Sequence, residues 1–178
     1  MFPIPDKLKN FKCYNEGGTI LGVTDIALPP LAYMTEEIQG AGIAGAIDSP
    51  VVGHFQSMAV TINWRTVFEK NLRFVAPRRY HLDFRASVQF YDDEVGELPS
   101  QAVQIMMRVL PKTFTLGNLT VATGMGTAGE FELLYIKIAV EGKDVVEIDK
   151  LNFICRMPDE RGNMVDYLAK TRRDLGMA

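Results

Sequence analysis

The sequence predicts a mostly β protein with minor α, in which antiparallel strands carry a short internal helix and a C-terminal helix. Three observations lead there. Apolar and polar residues alternate with period two through Tyr80–Phe90, Gln101–Leu110 and Phe131–Val140. Turn-forming stretches such as YDDEVGELPS and Glu141-Gly142-Lys143-Asp144 separate those runs. The spacing turns helical in only two places, Thr66–Phe74 and Asn163–Gly176. With 178 residues, 47% hydrophobic and 23% charged, the chain fits one globular domain spanning residues 1–178.

Each element has its own signal. Thr19–Leu28 reads as a strand stopped by Pro29-Pro30, and Met34–Gln39 is short and polar. Gly40–Gly53 (GAGIAGAIDSPVVG) holds four glycines and one charge, Asp48, which predicts a flexible loop or hairpin tip. In His54–Trp64, Met58, Val60, Ile62 and Trp64 alternate with polar or small residues, as in a half-buried strand. A short helix follows and ends at Pro77. From Tyr80, the face Leu82, Phe84, Ala86, Val88 and Phe90 opposes His81, Asp83, Arg85, Ser87 and Gln89. A partner strand runs from Gln101 to Leu110 and stops before Pro111, and a second glycine-rich stretch covers Gly117–Gly129. The next strand sets Glu132, Leu134, Ile136, Ile138 and Val140 against Phe131, Leu133 and Tyr135, then turns back at Glu141–Asp144 as a β-hairpin. Val165, Leu168 and Leu175 form the apolar stripe of the closing helix, residues 163–176, predicted to cover one sheet.

Charge and motifs exclude several functions. The formal net charge is −3 and the basic residues are scattered, whereas a nucleic-acid binder needs a basic stripe to neutralise phosphates. The first ten residues contain no apolar run, which predicts no secretory signal, and the longest uncharged stretch, Thr113–Gly129, is too rich in Thr and Gly to span a membrane. Cys13 and Cys155 lie far apart outside any C-x-x-C pattern, so both are expected as free thiols in a reducing cytoplasm. His54 and His81 have no partners at metal-ligand spacing, no G-x-S-x-G elbow occurs, and the acidic group Asp92, Asp93, Glu94 and Glu97 lacks the spacing of a calcium loop. No catalytic residue, cofactor or metal is expected. Two G-x-G-x-x-G matches, Gly40–Gly45 and Gly124–Gly129, lack the strand-before and helix-after context of a dinucleotide site. A small β-rich nucleotide-binding domain or enzyme using Gly124–Gly129 is the alternative reading.

What remains are features of assembly. Long strands leave edges that invite a further subunit, and the neutral loop bearing Gly40, Gly42, Ile43, Gly45, Ile47, Val51 and Val52 exposes apolar groups that suit a partner surface. Three segments, KLKNFKCYNEGGTILGVTDIALPPL, EFELLYIKIAVEGKDVVEIDKLNFICRM and DYLAKTRRDLGM, together resemble the major tail tube protein of contractile-tailed bacteriophages and R-type tailocins.

That resemblance implies an antiparallel β-sandwich or partial barrel with a flanking helix and an extended loop, as in phage tail tubes and the related type VI secretion tube. It implies homohexameric rings stacked into a tube, with Gly40–Gly53 reaching a neighbouring subunit. The partners it implies are the tail sheath, baseplate and tape-measure proteins, and the place is the virion tail, preceded by the bacterial host cytoplasm. DNA or ions would pass through the lumen without sequence-specific binding, and no membrane is involved. Asp83, Arg85, Glu130 and Glu132 are the lumen-facing candidates, and six copies of an acidic chain would give a mildly acidic channel that repels phosphate.

Overall fold

The computed structural model describes residues 4–15, 18–20, 22–92 and 97–177. The strands are β1 (Ile4–Asn15), β2 (Gly18–Ile20), β3 (Val23–Ala27), β4 (Tyr33–Ile38), β5 (Ile47–Phe55), β6 (Ala59–Trp64), β7 (Tyr80–Tyr91), β8 (Ser100–Thr115), β9 (Thr127–Val140), β10 (Lys143–Asp149), β11 (Ile154–Pro158) and β12 (Met164–Asp166). The helices are α1 (Glu69–Leu72), extended by a 3-10 turn at Arg73–Val75, and α2 (Ala169–Asp174). The main sheet runs β12-β11-β10-β9-β8-β7-β1-β2, with β6 branching from β9 and β3 from β6, while β4 and β5 form a separate hairpin. Every pairing is antiparallel.

The sheet is organised by β9. Along one side β9 pairs with β8 over nearly its full length; on the other its first half, Thr127–Glu132, pairs with β6 and its second half, Tyr135–Val140, with β10. The change of partner coincides with a bulge, because Arg108 pairs with Tyr135 and Val109 with Leu133, leaving Leu134 as an extra residue. Its carbonyl accepts a hydrogen bond from the Lys150 N–H at 3.1 Å. The bulge shifts the alternation, so the large side chains buried in the core are Phe131 and Leu133 before it and Ile136 after it. This corrects the unbroken alternation read from the sequence.

Cross-strand partners point to the same side of a sheet, so the register defines two faces. One ladder, Leu82, Met107, Ile136, Ile148 and Cys155, crosses five strands and is buried throughout. Where β6 and α1 close over it, an aromatic group gathers around Phe74, with Trp64 at 5.9 Å, Tyr80 at 5.0 Å and Phe131 edge-on at 5.8 Å. Such rings bring large apolar area and a preference for tilted contacts. The Tyr80 hydroxyl donates to the carbonyls of Arg73 and Ala76, tying the 3-10 turn to β7. Gly129 makes the fit possible, since a Cβ there would lie 3.0 Å from Phe131 and 3.1 Å from Trp64.

Several boundaries depart from expectation, each for a physical reason. β1 was not anticipated: two register shifts break its alternation, and Pro5 and the lysines are edge-strand residues. Thr19–Leu28 is not one strand, because the chain turns at Gly22, φ 74°, and its parts pair with β1 and β6. Polar Met34–Ile38 is a strand, since beyond its base, where Tyr33 stacks on buried Phe55, the β4–β5 hairpin stands clear of the core and needs no apolar face. β8 continues through Pro111, which falls beyond the last β7 pairing, Tyr80 with Val109, where β8 has only β9 beside it and a missing N–H costs no second ladder. Residues 93–96 of the β7–β8 turn lie outside the described residues.

The predicted helix over 163–176 is strand at its start. Gly162, φ 80°, and Asp159, whose carboxylate accepts from the Arg161 and Asn163 N–H groups, make a turn that returns β12 onto β11. Only Leu168 of the predicted stripe is buried, while Val165 and Leu175 are exposed. Leu168 lies where a Cβ on Gly53 would stand, 2.5 Å from its Cγ, and so locks the base of the β4–β5 hairpin. Leu168→Ala should cost about 2–4 kcal/mol and lower the melting temperature by roughly 5–15 °C; a thermal melt followed by circular dichroism that matched the unaltered protein would refute this packing.

Candidate assembly surfaces

The face opposite the core is polar and connected by charge. Its ladder runs Tyr14, Asp83, Met106, Lys137, Glu147, Arg156 and Asp166 across seven strands. Asp83 accepts from Arg85 at 3.0 Å and from Gln104 at 2.8 Å. Arg108 reaches Asp149 at 3.7 Å and lies 4.3 Å over the Tyr135 ring, whose hydroxyl donates to Glu147 at 3.1 Å. Arg156 bonds Glu147 at 2.8 Å and stands 3.6 Å from Asp166, which Arg172 grips at 2.7 Å. Lys137 pairs with Asp144 at 2.7 Å.

The lumen candidates lie on this face. Asp83 and Arg85 adjoin as an ion pair on β7. Glu130 and Glu132 share the face across the bulge, alternating with buried Phe131 and Leu133. Glu130 pairs with Lys112 at 2.9 Å, and Glu132 with Lys150 at 3.0 Å and the Ser57 hydroxyl at 2.6 Å. The acids expected to make a channel wall negative are therefore each held by a cation.

The loop candidates come together on the β4–β5 hairpin. Gly40, Gly42, Ile43 and Gly45 form its tip, and Ile47, Val51 and Val52 belong to β5; all are exposed. Gly42 and Gly45, φ 92° and 135°, carry the reversal. Of the two expectations, flexible loop or hairpin tip, the second holds for Gly40–Ala46, while the chain from Ile47 onward is a paired strand with Ile38 opposite Ile47 and a further exposed apolar side chain at Met34.

Two more features are open, the unpaired strand edges that the sequence led us to expect and an exposed loop tip that it did not single out. From Ile4 to Lys12 β1 has a strand neighbour on one side only, and at the far end β12 has only β11, so the main path of the sheet is open at both ends. Leu119 and Val121, on the loop between β8 and β9, are 89% and 95% exposed. A Leu-Thr-Val run inside a charge-free glycine loop was their only signal.

That loop also settles the second glycine motif. Strand β9 follows it where a dinucleotide site needs a helix N-terminus. Its glycines serve packing: a Cβ on Gly117 would meet the Met125 carbonyl oxygen at 2.0 Å, and one on Gly124 the Arg65 carbonyl oxygen at 3.0 Å. Cys13 and Cys155 are free and buried, with burial, reinforced by Asp83, pushing the Cys13 thiol up to about 12. No group of His, Cys, Asp and Glu among the described residues could hold a metal, and no helix among them is long and apolar enough to cross a membrane.

Residues 5–176 match the phage tail tube protein FII family. The chain belongs to this family. It is a structural tube subunit, a component of a phage tail. The tail tube protein of Escherichia phage P2 is 28% identical over 184 residues, covering 98% of this chain and 99% of that one. Two solved chains of an extracellular contractile injection system share 15% identity. One, from the PVC sheath-tube complex in the extended state, covers 78% of this chain and 91% of its own, TM-score 0.49; the other, from the sheath/tube terminator, covers 79% and 97%, TM-score 0.48.

The ion pairs make an acid-side prediction. Desolvation raises the Glu132 carboxyl, but the hydrogen bonds from Ser57 and Lys150, the Lys150 charge and the Met58 N–H outweigh it and hold the carboxyl below its usual range. Asp166 behaves likewise, with Arg172 overcoming desolvation. A depressed carboxyl gives stability that is full above the unfolded value, near 4.3 for Glu, and lost as pH falls toward the folded one. Thermal melts between about pH 5 and pH 3 should therefore fall less steeply for Glu132→Gln than for the unaltered protein, and equal slopes would count against the pairing.

Proposed function

We propose that six copies of this chain close into a ring and that rings stack into the inner tube of a contractile phage tail or tailocin, a conduit for DNA or ions. The observation that carries this reading is a sheet with an open edge at each end in a member of a tail tube family. Edges joined between neighbours make one continuous barrel, the arrangement that removes unpaired strands. The polar face holding Asp83, Arg85, Glu130 and Glu132 would line the bore. There, ion pairing rather than net negative charge would keep DNA from sticking: cations already neutralised by carboxylates have little to offer phosphates.

The β4–β5 hairpin reaches the adjoining subunit or ring, where Ile43, Ile47, Val51 and Val52 leave water. The sheath packs outside the tube, the tape-measure protein occupies its bore and the baseplate receives its end. Assembly follows folding in the bacterial host cytoplasm, and the virion tail is the final site.

Replacing residues 39–46 by Asn-Gly tests the hairpin. Ile38 and Ile47 are cross-strand partners, so a two-residue turn removes no pairing. Electron microscopy should show rings or tubes for the unaltered protein and none for the shortened one, with melting temperatures agreeing within a few degrees. Tubes of normal length from the shortened protein would refute the role given to this tip.

A further inference from the structure

The loop joining β8 and β9 is built to hold two aliphatic side chains out in water. Asn118 N–H donates to the Met125 carbonyl at 2.8 Å, Met125 N–H to the Arg65 carbonyl at 2.8 Å, and the Thr127 hydroxyl to the Leu116 carbonyl at 3.1 Å. At the tip, the Thr123 hydroxyl donates to the Thr120 carbonyl at 3.1 Å, and Ala122 takes φ 64°, an uncommon conformation for a residue with a side chain. A loop pinned at its base and strained at its apex presents Leu119 and Val121 in a fixed direction.

The same chain carries a matching hollow. Between the base of the β4–β5 hairpin and β11 and β12 lies a cavity of about 310 Å³, lined chiefly by Tyr33, Pro50, Val52, Met157, Pro158 and Tyr167. No charged side chain lines it, and the Tyr33 hydroxyl is already committed to the Met157 sulfur at 3.4 Å. A six-carbon group fills roughly 150 Å³ of apolar cavity, so the hollow accommodates one leucine and one valine side chain.

Knob and hollow sit toward opposite ends of the strands. Arg156, beside Met157, pairs with Glu147 and through it with Lys137, ten residues along β9 from Thr127, where the loop enters. At ~3.3 Å per residue this is roughly 30 Å. Complementary patches at opposite poles cannot satisfy each other within one molecule. They make a heterologous contact, which adds copies head to tail.

We propose that Leu119 and Val121 of one copy enter the Tyr33–Val52–Met157–Tyr167 hollow of a second copy and form the axial contact of the column. This rests on the tube reading above and names which surfaces meet in it. The occupant is a further copy of this chain, because the hollow is large enough to admit both side chains of the knob, the two match in polarity and both lack a partner within the monomer.

The double variant Leu119→Asp/Val121→Asp tests it. Both side chains are exposed, so circular dichroism and the melting temperature should be unchanged, while the sedimentable tube fraction falls at least tenfold. Leu119→Cys/Val52→Cys should give a ladder of disulfide-linked copies on a non-reducing gel, absent from Val52→Cys alone. Normal tubes from the aspartate variant, or no ladder from tubes carrying the cysteine pair, would overturn the docking and leave the tube reading standing. An unaltered protein that stays monomeric at every concentration overturns both. An unfolded aspartate variant contradicts the exposure on which the docking rests and overturns it too.

Discussion

Strand β9 is the constraint on which the rest of the molecule depends. It is the one place where β6, β8 and β10 are all held, and the bulge at Leu134 lets a single strand serve two partners along one side. A slip of one residue reverses every side chain on a strand. Here it would expose Phe131 and Leu133 and bury Glu130 and Glu132. The bulge therefore preserves the inward direction of Phe131, Leu133 and Ile136 while the sheet changes neighbours. Trp64 arrives on β6 and Ile148 on β10, so both halves of the core are set by the same irregularity.

The fold that results is complete in its core and open at its margins. Trp64, Phe74 and Phe131 are fully enclosed, yet Ile4 and Leu8 on the β1 edge, the β4–β5 hairpin and the Leu119–Val121 tip all face water. An open edge pairs with any strand that meets it, and lysines on the edge limit that hazard because burying an ammonium is costly. Lys7, Lys9 and Lys12 stand in the part of β1 that lacks a second neighbour. They oppose indiscriminate pairing while leaving the backbone free for a partner shaped to receive it.

Legibility in the sequence followed the number of layers an element touches. β7 and β9–β10 were readable because one face meets core and the other water, and the Glu141-Gly142 turn has φ 49° and 75°, as a tight hairpin requires. β1 and β4 were not: an edge strand and a strand in a projecting hairpin obey no inside-outside rule. In β12 the helical spacing of Val165, Leu168 and Leu175 is a coincidence, whereas the Asp159–Gly162 turn that decides the matter is a local hydrogen-bonding device. The apolar hairpin was visible as composition, and its pairing was not. The Leu119–Val121 tip carried only a three-residue hint, since exposure is a property of the folded surface.

The polar face changes what the chain's small net charge means. Read as a sum, −3 describes a weakly acidic protein. Read by position, Arg85, Arg108, Lys137 and Arg156 each stand within reach of a carboxylate, and Arg85 and Arg108 also lie over Tyr14 and Tyr135. Affinity for a polyanion grows with the number of cations free to displace its counterions. A guanidinium already held by a carboxylate and an aromatic ring gains little by exchanging them for a phosphate. A wall of repelling acids would also refuse DNA, but it would push like charges together around a closed ring and oppose the assembly itself. Compensating the charge in place avoids both, so the proposed tube, if this face lines its bore, would close tightly and still let its contents slide.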